Sequence, residues 1–168
     1  GHALGGMASA ALAARDLGAT DRLVARSSAL MAAAGPWCSL IVLYVQATLA
    51  IRRNEPDAAV AYVQKSLARI HAIHDTFALL FALAPLAAAA ELKGEDAWAA
   101  RIVGVRDSLT ERTGATAVDD SMRDLWERVE QDARGRLGQR RWTREYEVGR
   151  SASIESLMKQ VDAHVRDA

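Results

Sequence analysis

The sequence predicts an all-α fold, and three observations lead to that prediction. The 168 residues include 35 alanines and only three prolines, a balance that favours helix throughout the chain. Apolar residues recur at helical spacings, and no segment shows the sustained alternation typical of a strand. Glycine, proline and asparagine divide the chain into pieces of helix length. Because alanine side chains are small, we also expect the helices to approach one another closely.

The predicted helices follow one another along the chain with short turns between them. Gly18 and then Gly35-Pro36 are expected to end the first two, and Pro56 suits the first turn of the fourth. Ser153 is a typical N-cap for the last helix. Helices are expected over Leu4–Leu17, Asp21–Ala34, Trp37–Arg53, from Pro56 to His74 and over Thr76–Leu92. A sixth helix carries Trp98, Ile102, Val105 and Leu109 and stops near Gly114, and a seventh, capped by Asp119 or Asp120, extends to Leu137. A short helix over Gln139–Val148 and a final one from Ser153 onwards follow.

A repeated pattern suggests how these helices are arranged. After each long apolar helix comes a turn and then an Asp followed four residues later by an Ala, at intervals of 36 and 39 residues. This period resembles that of tetratricopeptide repeats, in which the small residue allows paired helices to pack. The sequence therefore predicts a right-handed, tetratricopeptide-like stack of about three helical hairpins. The three copies are Asp21/Ala25, Asp57/Ala61 and Asp96/Ala100.

Charge is unevenly distributed, which suggests the domain organisation. Residues 1–94 hold 8 basic and 6 acidic side chains, whereas residues 95–168 hold 13 and 15. We expect residues 3–114 to form the hairpins and residues 115–168 to form a charged C-terminal cap of the same domain. Residues 1–2 have the character of a tag remnant, and we expect the chain to be an excised piece of a larger protein.

Overall composition excludes several classes of protein. With 21 basic and 21 acidic residues, the chain offers nucleic acid no overall attraction. The most apolar run, Trp37–Ile51, is too short and too polar for a membrane span. The single cysteine, Cys38, forms no intrachain disulfide and is expected to be a buried thiol. These features predict a cytoplasmic protein.

The C-terminal third carries a recognisable order of residues. It runs through Arg123-Asp-Leu-Trp-Glu127, Leu137-Gly138, Trp142, Tyr146, Gly149-Arg150 and Ser153-Ile-Glu155. This order resembles the closing motif of helical-repeat regions in large bacterial signalling ATPases. Those proteins include LuxR-type transcriptional regulators, related adenylate-cyclase hybrids and multidomain kinases. The resemblance covers residues 78–168.

The resemblance implies a regulatory role and no chemistry of the chain's own. Such regions act as sensor or interaction arms beside a nucleotide-hydrolysing switch, with an effector domain elsewhere in the protein. The chain itself has no Gly-x-x-x-x-Gly-Lys-Ser/Thr loop. The implied partner is a protein, a neighbouring domain of the parent or a small effector. The alternative is a self-association module that forms a homodimer through the apolar end of the array.

Candidate catalytic and metal-binding groups favour structural roles. His71, His74 and Asp75 have metal-ligand spacing, but they stand where His stabilises a helix end and Asp caps the next helix. Cys38 has no neighbouring base to activate it. We therefore predict no catalytic residue, no bound metal and no cofactor, so the chain is not expected to be an enzyme.

Two sets of residues are candidates for binding a partner. Several arginines lie in the stretch around Trp142. A solvated helix with internal ion pairs is the favoured interpretation, ahead of a surface that binds an acidic domain of the parent protein or nucleic acid. This basic surface comprises Arg136, Arg140, Arg141 and Arg144. In repeat stacks the first helix of each pair commonly lines a groove. The groove candidates are Tyr44, Thr48, Phe77 and Phe81, although a core role is the stronger interpretation for these four residues. Core positions are expected for Trp98, Trp126 and Trp142.

Overall fold

The chain is all-α. A computed structural model describes residues 2–30, 35–73, 75, 77–114 and 120–166, and within them it contains helices and no strand. In these residues no helix combines the length and the apolar character that crossing a lipid bilayer requires. The helices are α1 His2–Ala13, α2 Leu17–Leu30, α3 Pro36–Arg52, α4 Pro56–Ile73, α5 Leu79–Leu92, α6 Asp96–Thr113, α7 Asp120–Leu137, α8 Gln139–Ser151 and α9 Ile154–Arg166.

One type of turn joins α1 to α2, α3 to α4 and α5 to α6. In each turn one residue takes a positive φ of 60°, 60° or 74°, namely Arg15, Asn54 and Gly94. The acidic residue that follows donates its backbone N–H to the carbonyl of an alanine five positions earlier, at 2.9–3.0 Å. This is a Schellman closure, which satisfies carbonyls at the end of the first helix. The donor and acceptor pairs are Asp16 and Ala11, Glu55 and Ala50, and Glu95 and Ala90.

The first of these turns corrects a predicted helix boundary. Gly18 does not end the first helix, because Arg15 takes the positive φ and the chain enters α2 before it reaches Gly18. Asp16 then caps α2, since its Oδ1 accepts the N–H of Ala19 at 2.8 Å. A residue other than glycine in this left-handed conformation costs on the order of 1 kcal/mol. Because such residues are disfavoured there, Arg15 does not mark the turn in the sequence as a glycine would.

The register of the expected repeat is also corrected. Asp57 and Asp96 lie in the first turns of α4 and α6, but Asp21 is the fifth residue of α2, whose first turn carries no acid. The three aspartates therefore do not occupy equivalent positions. What recurs is the turn itself, at intervals of 39 and 40 residues counted between its acidic members. Pro56 begins α4, as predicted.

Helix α5 lies at the centre of the molecule. Every residue from Leu79 to Glu91 is buried, and α5 contacts α3, α4, α6 and α7. The small side chains of Ala87–Ala90 make burial on all sides possible, because neighbouring helices can approach each face. Within the described residues, α1 contacts α3, α3 contacts α5 and α5 contacts α7, while α1 also reaches α7. The helices therefore form a compact body and not an open row.

The closest helix contact is between α6 and α8, where two glycines meet the opposite backbone. A Cβ added to Gly149 would lie 1.9 Å from the carbonyl oxygen of Arg101, and one added to Gly104 would lie 2.1 Å from that of Tyr146. Real Cβ atoms essentially never come within 3.0 Å of such an atom. Only glycine at both positions permits this crossing, so the two helices pack backbone against backbone.

A buried carboxylate adjoins the crossing. Glu145 is 5% exposed, and its Oε2 accepts the Nε of Arg101 at 2.8 Å. Its Oε1 accepts the Nη2 of Arg144 at 2.7 Å. The hydrogen bond from Arg144, followed by that from Arg101, holds the pKa of Glu145 below its ordinary value. The charged form is therefore favoured where α6 and α8 meet.

Two further links join the same helices on the other side of the crossing. The hydroxyl of Tyr146 donates to Oδ2 of Asp107 at 2.9 Å, and burial raises the pKa of this tyrosine. Arg150 forms two hydrogen bonds to the carboxylate of Glu111, at 2.8 and 2.6 Å. These side chains fix how α8 is oriented over α6.

The last helix, α9, lies over α4. Ser153 caps it as predicted, because its Oγ accepts the N–H of Ser156 at 3.1 Å. Its apolar face is buried through Leu157 and Val161, each 1% exposed. Burial of Trp98, Trp126 and Trp142 confirms their predicted core positions, and the thiol of Cys38 is buried as expected.

Replacing Gly149 with alanine should destabilise the protein by about 3 kcal/mol, because α6 and α8 must move apart to admit the methyl group. Thermal or urea unfolding followed by circular dichroism measures this change. Gly135→Ala is the matched control: nothing lies within 4 Å of its added Cβ, and it is exposed in α7. That variant should gain about 0.5–1 kcal/mol from helix propensity. Equal effects of the two substitutions would contradict the close crossing.

Candidate functional site

Two clefts lie along α9, one near each end of the helix. The larger, of about 550 Å³, is lined by Trp98, Arg101, Arg136, Arg141, Gln160 and Ala163, among others. The smaller, of about 180 Å³, is lined by Leu67, Ile70, His71, Leu79, Ile154 and Met158, together with Asp75. The first is rich in charge and the second mainly apolar. Together they form the candidate site, which we call the α9 groove.

The charged half of the α9 groove is built where several helix ends meet. The α5–α6 turn and the start of α6 form one side, and the end of α7 and the start of α8 form the other. Gly138, with a φ of 78°, makes the abrupt change of direction between α7 and α8. This turn brings Arg136 and Arg141, one on each helix, to the same cleft.

Arg136 belongs to a structural network. Its guanidinium contacts both carboxylate oxygens of Asp96 at 2.8–3.1 Å, and its Nη2 donates to Oε1 of Glu91 at 2.8 Å and to the Glu91 carbonyl at 3.0 Å. The hydrogen bonds to Asp96 and then Glu91 raise the pKa of Arg136. Glu91 is only 7% exposed, and Nη2 of Arg128 lies 3.4 Å from its other oxygen. Arg136 thus ties α7 to α5 and α6.

The four arginines of the predicted basic surface divide into two groups. Arg136 and Arg144 form ion pairs with carboxylates, as expected for a helix with internal ion pairs. Arg140 and Arg141 are exposed and form no ion pair or hydrogen bond with any residue that the structure describes. Of these last two, only Arg141 lines the α9 groove. It is therefore the basic residue best placed to meet an external acid there.

The four groove candidates do not line the α9 groove. Tyr44, Thr48 and Phe81 are buried, with exposures of 2%, 0% and 9%, whereas Phe77 is 39% exposed. The ring of Phe81 packs edge-on against Tyr44 and Phe77, with centroids 5.6 and 5.8 Å apart. Trp37 completes this aromatic cluster, 6.0 Å from Phe77. Of the four candidates, a ligand could reach only Phe77 without rearrangement.

The predicted metal-ligand cluster is only partly described. His74 lies outside the described residues, while His71 and Asp75 both border the smaller cleft. Oδ1 of Asp75 accepts the N–H of Ala78 at 3.1 Å, which is the capping role expected for it. Across the described part of the chain, no group of three or more His, Cys, Asp or Glu side chains is arranged to hold a metal ion.

Sequence reasoning missed the α9 groove itself, although it detected the apolar face of α9. The groove depends on how α9 folds back over α4, and periodicity within a helix says nothing about its neighbour. A signal for the α6–α8 crossing was present. Gly104 and Gly149 lie inside helical patterns, where a glycine often has a packing reason, although Gly135 in α7 has nothing within 4 Å of an added Cβ, so the signal alone does not locate the crossing.

The chain matches no family model, no curated protein and no solved structure with which it was compared. The chemistry of the α9 groove is therefore the basis for assigning a role. A mainly apolar cleft and a cleft that holds arginines, carboxylates and an amide lie along the same helix, a combination suited to binding an amphipathic ligand.

Removing Arg136 should therefore cost more stability than removing Arg141. Arg136→Ala leaves the buried carboxylate of Glu91 without its best partner, and we expect a loss of about 2 kcal/mol in the free energy of unfolding. Arg141→Ala removes an exposed charge without a described partner and should change stability by less than about 0.5 kcal/mol. Urea unfolding at neutral pH compares them. Similar losses would show that Arg141 is also structural.

Proposed function

We propose that the chain is a non-catalytic interaction arm built from tetratricopeptide-like helix pairs. The observation that carries this proposal is the turn shared by α1–α2, α3–α4 and α5–α6, which recurs every 39 or 40 residues with the same hydrogen bonds. A recurring pair of helices whose first members pack in succession is the building principle of helical-repeat proteins, which act through extended binding surfaces. Here the array is short and curled, because α1 reaches α7.

The residues of the C-terminal motif support the idea that this segment closes the array. Trp142 is only 2% exposed, and the guanidinium carbon of Arg134 lies over its indole ring, 5.0 Å from the ring centroid. Gly149 permits the crossing with α6, and Arg150 binds Glu111 on that helix. The motif residues therefore have structural roles, as a terminal motif of a helical array requires.

The proposed context is a multidomain bacterial signalling or transcriptional regulator in the cytoplasm. The chain would bind a protein partner, a neighbouring domain or a small effector, and bias an attached nucleotide-hydrolysing switch. Such coupling requires that the partner prefer one arrangement of the arm. The resemblance of residues 78–168 to the closing segments of such regulators supports this context.

The complete reading frame and its product test the proposal. We expect a nucleotide-binding loop and an effector domain in the same protein. Gly149→Ala, introduced into that protein, should change its nucleotide hydrolysis rate about fivefold or more, because coupling between a sensor arm and a switch typically reaches this size. Gly135→Ala, the surface control, should change the rate less than about twofold. A reading frame without a nucleotide-binding loop, or rates unaffected by either change, would contradict the proposal.

A further inference from the structure

One face of α1 is exposed although it carries no charge. No charged side chain occurs between Ala3 and Ala14. Helix α1 packs on α2, α3 and α7, and a stripe of its residues at helical spacing stays exposed. Met7, 55% exposed, is the largest side chain in the stripe. This stripe, which we call the α1 face, consists of Ala3, Gly6, Met7, Ala10 and Ala13.

The shared turn allows α1 to be aligned with α3 and α5. Arg15, Asn54 and Gly94 take the positive φ in the three turns, so a residue of α1 corresponds to the one 39 positions later in α3 and 40 positions beyond that in α5. The neighbours of the three helices correspond too. Each is followed by its own second helix, α2, α4 or α6, and by the next first helix, α3, α5 or α7. Helices α3 and α5 have one neighbour that α1 lacks in this structure, a preceding pair.

Positions that are exposed on the α1 face are buried in the two later helices. The α3 equivalents of Ala3, Gly6 and Ala10 are Val42, Val45 and Leu49, which are 2%, 0% and 4% exposed. The α5 equivalents, all buried, are Ala82, Pro85 and Ala89. Because the other neighbours match, the additional burial comes from the preceding pair. That pair is α1–α2 for α3, and α3–α4 for α5.

The junctions between successive pairs also share an ion pair. In each junction an aspartate of the earlier pair's second helix binds a basic residue near the end of the later pair's first helix. The three ion pairs are Asp21–Arg53, Asp57–Lys93 at 3.1 Å and Asp96–Arg136 at 2.8 Å. The stacking of one pair on the next is therefore a repeated interface of this protein. The α1 face continues that interface by one step.

We propose that the α1 face is the docking surface for a further helix pair of the parent protein, which stacks on α1–α2 as α1–α2 stacks on α3–α4. This inference rests on the proposed function as an interaction arm and names a neighbour of the array. The small residues of the face suit such a neighbour, as Ala82 and Ala89 do in α5, because they let helices pack closely. The outer face of a terminal repeat is typically polar, and the α1 face is not.

Thiol labelling tests the proposal on the chain and on a longer protein that adds the 39 or 40 residues preceding α1 in the reading frame. Both carry Cys38→Ala and Ala10→Cys, and the rate of reaction with a maleimide is measured. We expect this rate to be about tenfold or more slower in the longer protein, because a buried thiol reacts only after local opening.

Ala29→Cys is the matched control for this labelling. Ala29 is exposed on α2, and its equivalent in α4, Ala68, is exposed as well. Its labelling rate should therefore agree within about twofold between the two proteins, as expected for a position that no neighbour covers. Equal rates in the two proteins for Ala10→Cys would overturn the proposal.

A charge placed on the α1 face separates packing from general shielding. In the longer protein with Ala3→Cys as the reporter, adding Ala10→Asp should restore labelling to within about twofold of the rate in the shorter chain, because an unpaired carboxylate resists burial. Ala29→Asp should leave the reporter protected. Because Ala10 is exposed in the shorter chain, circular dichroism of that chain checks that Ala10→Asp folds normally. A reporter that stays protected beside Ala10→Asp overturns the proposal.

The remaining outcomes are equally decisive. If Ala10→Cys is protected in the shorter chain and becomes reactive on dilution, a second copy covers the α1 face and the proposal is wrong. It is also wrong if the reading frame supplies no preceding segment, or one that adds no helical signal in circular dichroism. None of these results depends on nucleotide hydrolysis, so failure here is distinguishable from the absence of a nucleotide switch in the parent.

Discussion

The close approach of α6 and α8 is the constraint on which the C-terminal half of the structure depends. Gly104 and Gly149 bring the two backbones together, and the surrounding hydrogen bonds fix the angle at which they cross. Because α7 connects these helices, its position is set at the same time, and with it that of Arg136. The start of α8 then forms one wall of the α9 groove. A single backbone contact thus positions the candidate site.

The N-terminal half is organised by a different means. Here one Schellman turn is used three times, and the turn closes with alanine and an acidic residue each time. The two halves meet at α5, whose alanines admit neighbours on every face. Glu91, near the end of α5, contacts Arg128 and Arg136 of α7, so ion pairs join these two helices. The division of charge along the sequence follows this architecture.

Local signals in the sequence predicted much of the fold. Pro56 and Ser153 mark helix starts through their own chemistry, and the apolar stripes place the three core tryptophans correctly. The turn at Arg15 had no such signal, because arginine does not favour a positive φ. Its conformational cost is offset by tertiary contacts, which a local pattern does not reveal. The pairing of Arg136 with Glu91 joins residues 45 positions apart, beyond the reach of any local pattern. The α9 groove was missed for the same reason.

Native-state hydrogen exchange of the unmodified chain tests most directly whether the glycine crossing anchors the structure. Amides at the centre of α6 and α8, around Gly104 and Gly149, should exchange only through global unfolding and should be among the slowest in the protein. Those of α9 should exchange much faster, through local opening. If amides of α1 and α2 prove slower than those of α6 and α8, or if α8 exchanges as fast as α9, the crossing is not the anchor.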